Sequence, residues 1–178
     1  KHAVFAVVLV FAPMLPALLL APLGWSSAAG SFIFATMAGV MASMLAGPRL
    51  GLILAAGLAV AEMLALPAAP YPVWAGLVMG VSALLYGLTS HRGLTSLISM
   101  APIAVAFTIA DPPVLDQDSM LADALALGLF VLLGGLWGTV FGTVVGRKAP
   151  RMTLQPSSWR IAVTFALVIG IATGLTMG

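Results

Sequence analysis

Residues 58–66 read LAVAEMLAL, eight apolar side chains around one glutamate, Glu62. In a water-soluble core that carboxyl would need a buried partner. In a membrane it would be rarer and more often functional. Composition decides between the two media. The 178 residues are 62% hydrophobic and only 7% charged, whereas soluble domains carry about 25% charged residues. A chain this poor in charge cannot clothe itself in a water-compatible surface. The expected fold is therefore all-α, a polytopic transmembrane helix bundle embedded in a lipid bilayer. Strands are not expected, because the apolar runs lack the period-2 alternation of a membrane barrel.

Outward from Glu62, Pro, Gly and charge divide the chain into about seven runs near the roughly 20 residues that span a bilayer. They cover residues 3–20, 26–46, 50–66, 73–88, 94–110, 121–145 and 161–178. The third and fourth are short, which fits helices along the bilayer normal or re-entrant ones. Residues 1–30 also have the outline of a signal peptide, although Pro13 and Pro16 interrupt an apolar core that is long for one. A first residue Lys1 and a last residue Gly178 within an apolar run are what a partial view of a longer protein would show.

The loop charges sort cleanly on this division. Lys1, Arg49, Arg92, Arg147, Lys148, Arg151 and Arg160 all fall on one side. Asp111, Asp116 and Asp118 fall on the other, in loops without a basic residue. The basic loops are expected to be cytoplasmic, which makes the N-terminus cytoplasmic too. The organisation expected is a six-helix transmembrane unit over 1–146, a basic cytoplasmic linker over 147–160, and over 161–178 the first helix of a second repeat. The seven Lys and Arg are too few for a phosphate-binding face, so nucleic acid is not an expected partner. The absence of cysteine excludes disulfides, thiolate metal sites and a Cys nucleophile.

Small residues recur at intervals of four: Gly134, Gly138, Gly142 and Gly146 in the sixth run, Gly170, Gly174 and Gly178 in the seventh, and Ala35, Gly39, Ser43 and Gly47 in the second. Such stripes let helix backbones approach closely. They serve a static bundle or a sliding interface equally well. Trp25, Tyr71, Trp74, Tyr86 and Trp159 lie near run ends, as an aromatic belt requires, and Trp137 lies well inside the sixth run.

No catalytic constellation emerges. GRKAPR lacks the Gly-Lys-Ser/Thr of a P-loop. His2 and His91 have no metal-ligand spacing, and Ser43 and Ser99 have no base nearby in sequence. No enzyme activity, cofactor or metal is expected. Two carboxyls remain as candidates for proton or substrate coupling, Glu62 and Asp123. Glu62 lies roughly 18 Å along its helix from Leu50, toward the outer side. It either reaches the outer interface or faces a polar cavity, where it would take up a proton or meet a cationic group. Asp123, behind Asp118 and Ser119, sits where a helix N-terminus favours an acid.

The stretches GSFIFATMAGVMASMLAGPRLGLILAAGLAVAEMLALPAAP and LGLFVLLGGLWGTVFGTVVGRKAPR together resemble the N-terminal membrane half of the FUSC family, the fusaric-acid-resistance and aromatic-acid-exporter-like proteins. The features that carry the resemblance are a Gly-Pro-Arg turn at Gly47, Pro48 and Arg49, a Gly-Gly-Leu-Trp stretch from Gly134 to Trp137, a basic segment, and a new start at Trp159 and Arg160. The resemblance covers residues 26–178 and implies six spans per half, two halves, and proton-driven efflux of aromatic or other organic acids across a bacterial inner membrane. It transfers no site residue. Two other roles fit the same sequence: a non-transporting subunit or homo-oligomer packed within a larger membrane complex, and a substrate-capturing subunit of an importer.

Overall fold

The computed structural model describes residues 11–20, 28–90, 100–115 and 119–146, together with residues 160, 163, 164, 167, 168, 171 and 172. Among the described residues all regular structure is helical, with no strand. A 3₁₀ turn, Ala12–Met14, leads into α1, Leu15–Leu20. Then follow α2 (Ala29–Ala46), α3 (Pro48–Ala68), α4 (Pro72–Ser90), α5 (Met100–Ala110) and α6 (Met120–Gly146). Of the seven runs expected to span, three are long and apolar enough to cross a membrane in their described residues: α2, α3 and α6. The described residues at 160–172 are helical as well.

Local chemistry sets the boundaries. Gly47 closes α2 and opens α3 at φ 101° and ψ 166°, a region that side-chain-bearing residues avoid. Its N–H bonds the Ser43 carbonyl, and Pro48 follows at the first helical position, where its missing N–H is not needed. A Cβ at Gly47 would meet nothing within 4 Å. The demand for glycine is therefore conformational rather than steric. Gly47→Ala should destabilise the protein by about 1–3 kcal/mol, read as a lowered denaturation midpoint in detergent, and an unchanged midpoint would mean that the turn relaxes freely.

The third and fourth runs are longer than their sequences suggested: α3 has 21 residues and α4 has 19, each a continuous helix. The third run was bounded at residue 66, before Pro67, yet α3 continues through that proline to Ala68. In the last turn a proline forfeits only one backbone bond. The Ala69 N–H still reaches the Ala65 and Leu66 carbonyls, at 3.0 and 3.3 Å. At the N-terminal side, Pro13 and Pro16 limit regular structure to the 3₁₀ turn and the short α1. Pro16 has no N–H to offer the Pro13 carbonyl. The indole N–H of Trp137 on α6 bonds that carbonyl instead, at 3.2 Å, which explains a tryptophan away from the expected belt.

α6 is the centre of the bundle, packed between α2 and α3. The core consists of Phe32, Ala35 and Ala38 from α2, Leu58, Ala59 and Leu66 from α3, Ala104 from α5, and Ala124, Leu127, Phe130 and Val131 from α6. The rings of Phe32 and Phe130 lie 5.0 Å apart. A second, smaller core of Ala65, Ala75, Met79, Val105 and Ile109 joins α3, α4 and α5.

The glycine stripe of α6 faces α2. A Cβ at Gly134 would come within 2.8 Å of the Phe32 carbonyl oxygen, one at Gly138 would overlap the Thr36 carbonyl, and one at Gly146 would lie 2.9 Å from Met44 Cα. Gly142 meets Val40 and the Ser43 hydroxyl in the same way. α2 answers with Gly39, whose added Cβ would strike the Gly135 carbonyl of α6. On the next face of α6, Gly135 admits Ala55 of α3, and Thr139 packs on Gly51. Buried hydroxyls bond within the bundle. Thr36 Oγ1 donates to the Gly134 carbonyl across the helices at 3.1 Å, and Ser43 and Thr139 donate back along their own helices.

Candidate functional site

Seven polar or charged residues are buried among the described ones: Ser31, Thr36, Ser43, Glu62, Ser82, Thr108 and Thr139. Ser43, Thr36 and Thr139 spend their hydroxyls on backbone carbonyls. Three of the rest converge from three helices: Ser31 from the first turn of α2, Glu62 from α3, and Thr108 near the end of α5.

Glu62 is fully buried, at 0% exposure. The interfacial alternative required its carboxyl to reach the end of the helix. Instead α3 turns it inward, among α3 residues Leu58, Ala59, Ala65 and Leu66, which are all buried. The Thr108 hydroxyl donates to Glu62 Oε2. The Ser31 and Thr108 hydroxyl oxygens lie 3.4 Å apart, and Ser31 also lies beside the carboxyl. Glu62 Oε1 is buried with no hydrogen-bond partner. An unpaired buried acceptor costs about 1–3 kcal/mol and more when ionised. The group is held at a price in stability that packing alone does not explain.

The other faces of Ser31 and Thr108 line a cleft of about 400 Å³ between α2 and the end of α5, with Gly30, Ile33, Phe34, Phe107, Asp111 and Pro113. Phe34 and Phe107 form its aromatic side, with ring centroids 5.2 Å apart. Asp111 is exposed just past α5. Polar groups thus run in order from an exposed carboxylate, through two hydroxyls, to a buried carboxyl.

Asp123 does not join this group. It lies in the first turn of α6, half-buried, and lines a separate hollow with Pro70, Pro112, Ser119 and Met120. The capping bond comes from Ser119, whose hydroxyl accepts the Ala122 N–H at 3.3 Å. Arg49 is exposed in the first turn of α3, and Arg160 is exposed in its helical segment. Arg92, Arg147, Lys148 and Arg151 lie outside the described residues, as do His2, His91, Asp116, Asp118 and the glycines at 170, 174 and 178. The hydrogen-bond donor to Glu62 is Thr108. Among the described residues no three His, Cys, Asp or Glu side chains form a metal-binding group.

Sequence reasoning did not find Ser31 and Thr108. Each is a single hydroxyl in an apolar run, with no local pattern. The available signal was that each sits in the half of its helix nearest the acidic loops, as Glu62 does. No protein-family model, curated protein or solved structure matches the chain.

Proposed function

We propose that the protein is a proton-coupled secondary transporter, or one half of one, in a bacterial inner membrane, with Glu62 as the group that carries the proton. The supporting observation is the buried carboxyl at the inner end of a hydroxyl-lined path. A structural carboxyl would have both oxygens satisfied, whereas one that must gain and lose a proton keeps an oxygen open and a route to water. Three helices long and apolar enough to span, the loop charges and the buried coupling group agree with a multi-pass protein whose N-terminus is cytoplasmic. On this reading the seventh run completes the count of about seven spans, as the opening helix of a second repeat. The cleft then opens toward the outside, because Asp111 lies on the acidic side.

The resemblance to the FUSC family supplies direction and cargo: export of aromatic or other organic acids against inward proton flow. Liposomes containing the protein and loaded with phthalate, a poorly permeant aromatic dicarboxylate, should release it when the outer medium is acidified relative to the lumen. Protein-free liposomes should not. A protonophore that collapses the gradient should stop release, and release indifferent to the gradient would refute the coupling.

A second role, as a packing subunit of a larger complex, is favoured by one feature. α4 presents Val73, Trp74, Leu77, Val81 and Leu85 outward, and an apolar groove between α3 and α4 runs along it.

A further inference from the structure

We propose that Ser31 and Thr108 form a one-sided proton relay between the cleft and Glu62, with Thr108 as the step that every proton must take. The inference rests on the reading of Glu62 as the proton-carrying group and assigns the residues that supply it.

Glu62 is fully buried and does not line the cleft, whereas Ser31 and Thr108 do. Water entering the cleft therefore meets these hydroxyls and stops short of the carboxyl. The contacts run in series. The Thr108 hydroxyl donates to Glu62 Oε2, and the Ser31 oxygen lies 3.4 Å from that of Thr108. A hydroxyl has one proton to donate and two lone pairs with which to accept. With its proton committed to Glu62, Thr108 can only accept from Ser31. Ser31 is thus the donor of that pair while the carboxyl is ionised, and the whole run points toward the negative charge.

Transfer along such a run needs no other group. A hydronium ion in the cleft gives a proton to Ser31 Oγ, Ser31 gives its own to Thr108 Oγ1, and Thr108 gives its own to Glu62 Oε2. Each hydroxyl forms one O–H bond and breaks one, the hydronium becomes water, and the carboxylate becomes neutral. The run then points the other way: Glu62 donates to Thr108, Thr108 to Ser31, and Ser31 to the cleft. The same steps reversed return the proton to the side it came from, so the relay serves the cleft alone. Its links are unequal. A separation of 3.4 Å is long for a hydroxyl pair, which usually sits at about 2.7–2.8 Å. Because Thr108 itself lines the cleft, water can stand in for Ser31, but nothing stands in for Thr108. The other described titratable groups around Glu62 lie off this run. Asp111 is at the exposed mouth of the cleft, where it draws protons in, and Asp123 is in the separate hollow. Tyr71 and Tyr86 belong to the α4 side, and Arg49 is exposed near the opposite end of α3. α2 contributes none.

The experiment follows the infrared band of the protonated carboxyl after a rapid drop in pH, on the full chain in detergent. The band that Glu62→Gln lacks belongs to Glu62. Thr108→Val, close in shape but without the hydroxyl, should slow the rise of that band by about a hundredfold, the lower end of what a positioned proton-transfer group contributes. Its decay on return to alkaline pH should slow as well. A lost path slows both directions, whereas a merely structural hydrogen bond shifts the end point. Ser31→Ala should slow both less than Thr108→Val does, and Thr108→Ser should keep nearly the native rate. The Ser31 variant decides if Thr108→Val fails to fold. Native rates in either Thr108→Val or Ser31→Ala, or the absence of a Glu62 band at any pH, overturn the proposal. If phthalate release is gradient-driven and depends on Glu62 while both variants keep native rates, the relay alone is wrong. If the band obeys the relay and release ignores the gradient, the transport reading alone is wrong.

Discussion

Gly138→Leu should all but eliminate folded protein, whereas Val140→Leu two residues along the same helix should be tolerated. Gly138 is buried against α2, and even a methyl group there would overlap the Thr36 carbonyl and lie 2.9 Å from Thr36 Cα. The obstacle is backbone, which has no rotamer with which to retreat. The helices must separate, and separation breaks more than one contact. It opens the Thr36 to Gly134 hydrogen bond, parts Gly39 from Gly135, and loosens the packing of Phe32 on Phe130. Ordinary overpacking costs about 1–3 kcal/mol, and here the loss should exceed that range. Val140 is 59% exposed, so an added methylene meets no neighbour. Leu132→Ala, which removes volume from a half-buried position, should fall between the two. The readout is the monodisperse fraction in size-exclusion chromatography after extraction. Equal yields of all three variants would mean that α2 and α6 do not pack through this stripe.

Glu62→Gln should leave folding intact and abolish the pH dependence of transport. The amide has the size of the carboxyl, and its oxygen can still accept the Thr108 hydroxyl bond. Its nitrogen takes the place of an oxygen that already lacks a partner, so the structural cost is small. The amide cannot gain or lose a proton at any working pH. Phthalate release should therefore become flat across about pH 5–8, where the native protein varies with the protonation of its essential group. Glu62→Asp withdraws the carboxyl by one methylene and loses Thr108, yet stays titratable. It should keep a pH dependence at reduced rate. A normal pH profile for Glu62→Gln would move the coupling role elsewhere, and Asp111 at the mouth of the cleft would be the next residue to test.

These two expectations differ in how far the sequence alone supports them. The small-residue stripe of α6 is visible because a spacing of four is local, and four residues return to the same face of a helix. Its partner is not visible. Nothing in the sequence pairs Gly138 with Thr36, about a hundred residues earlier, because any small-residue face could accept it. Glu62 stands out as a lone charge in an apolar run. Its inward direction depends on which face of α3 meets its neighbours, and α3 is apolar nearly all round, so the sequence gives no phase. Thr108 and Ser31 are invisible for the same reason. Pro67 misled because a proline reads as a stop, whereas α3 carries it in its last turn without an N–H for the carbonyl four residues back and continues one residue further to Ala68. Trp137 did not fit the belt because its indole N–H bonds the Pro13 carbonyl, a contact between parts of the chain far apart in sequence.

The central position of α6 has a consequence for biosynthesis. α6 comes after α2, α3, α4 and α5 in the chain, yet both α2 and α3 take it as their main neighbour. At about 5–20 residues per second, the roughly 70 residues between α2 and α6 occupy the ribosome for on the order of 4–15 s. During that interval the small-residue face of α2 has no matching surface to receive it. α5 emerges within the same interval, so Thr108 can meet Glu62 before α6 arrives. The polar contact is thus available to hold α3 and α5 in register, and the glycine stripe then closes on a partly assembled unit. Assembly in this order places the latest-made helix under the strictest steric test, so errors in the earlier helices are exposed at the moment α6 fails to fit.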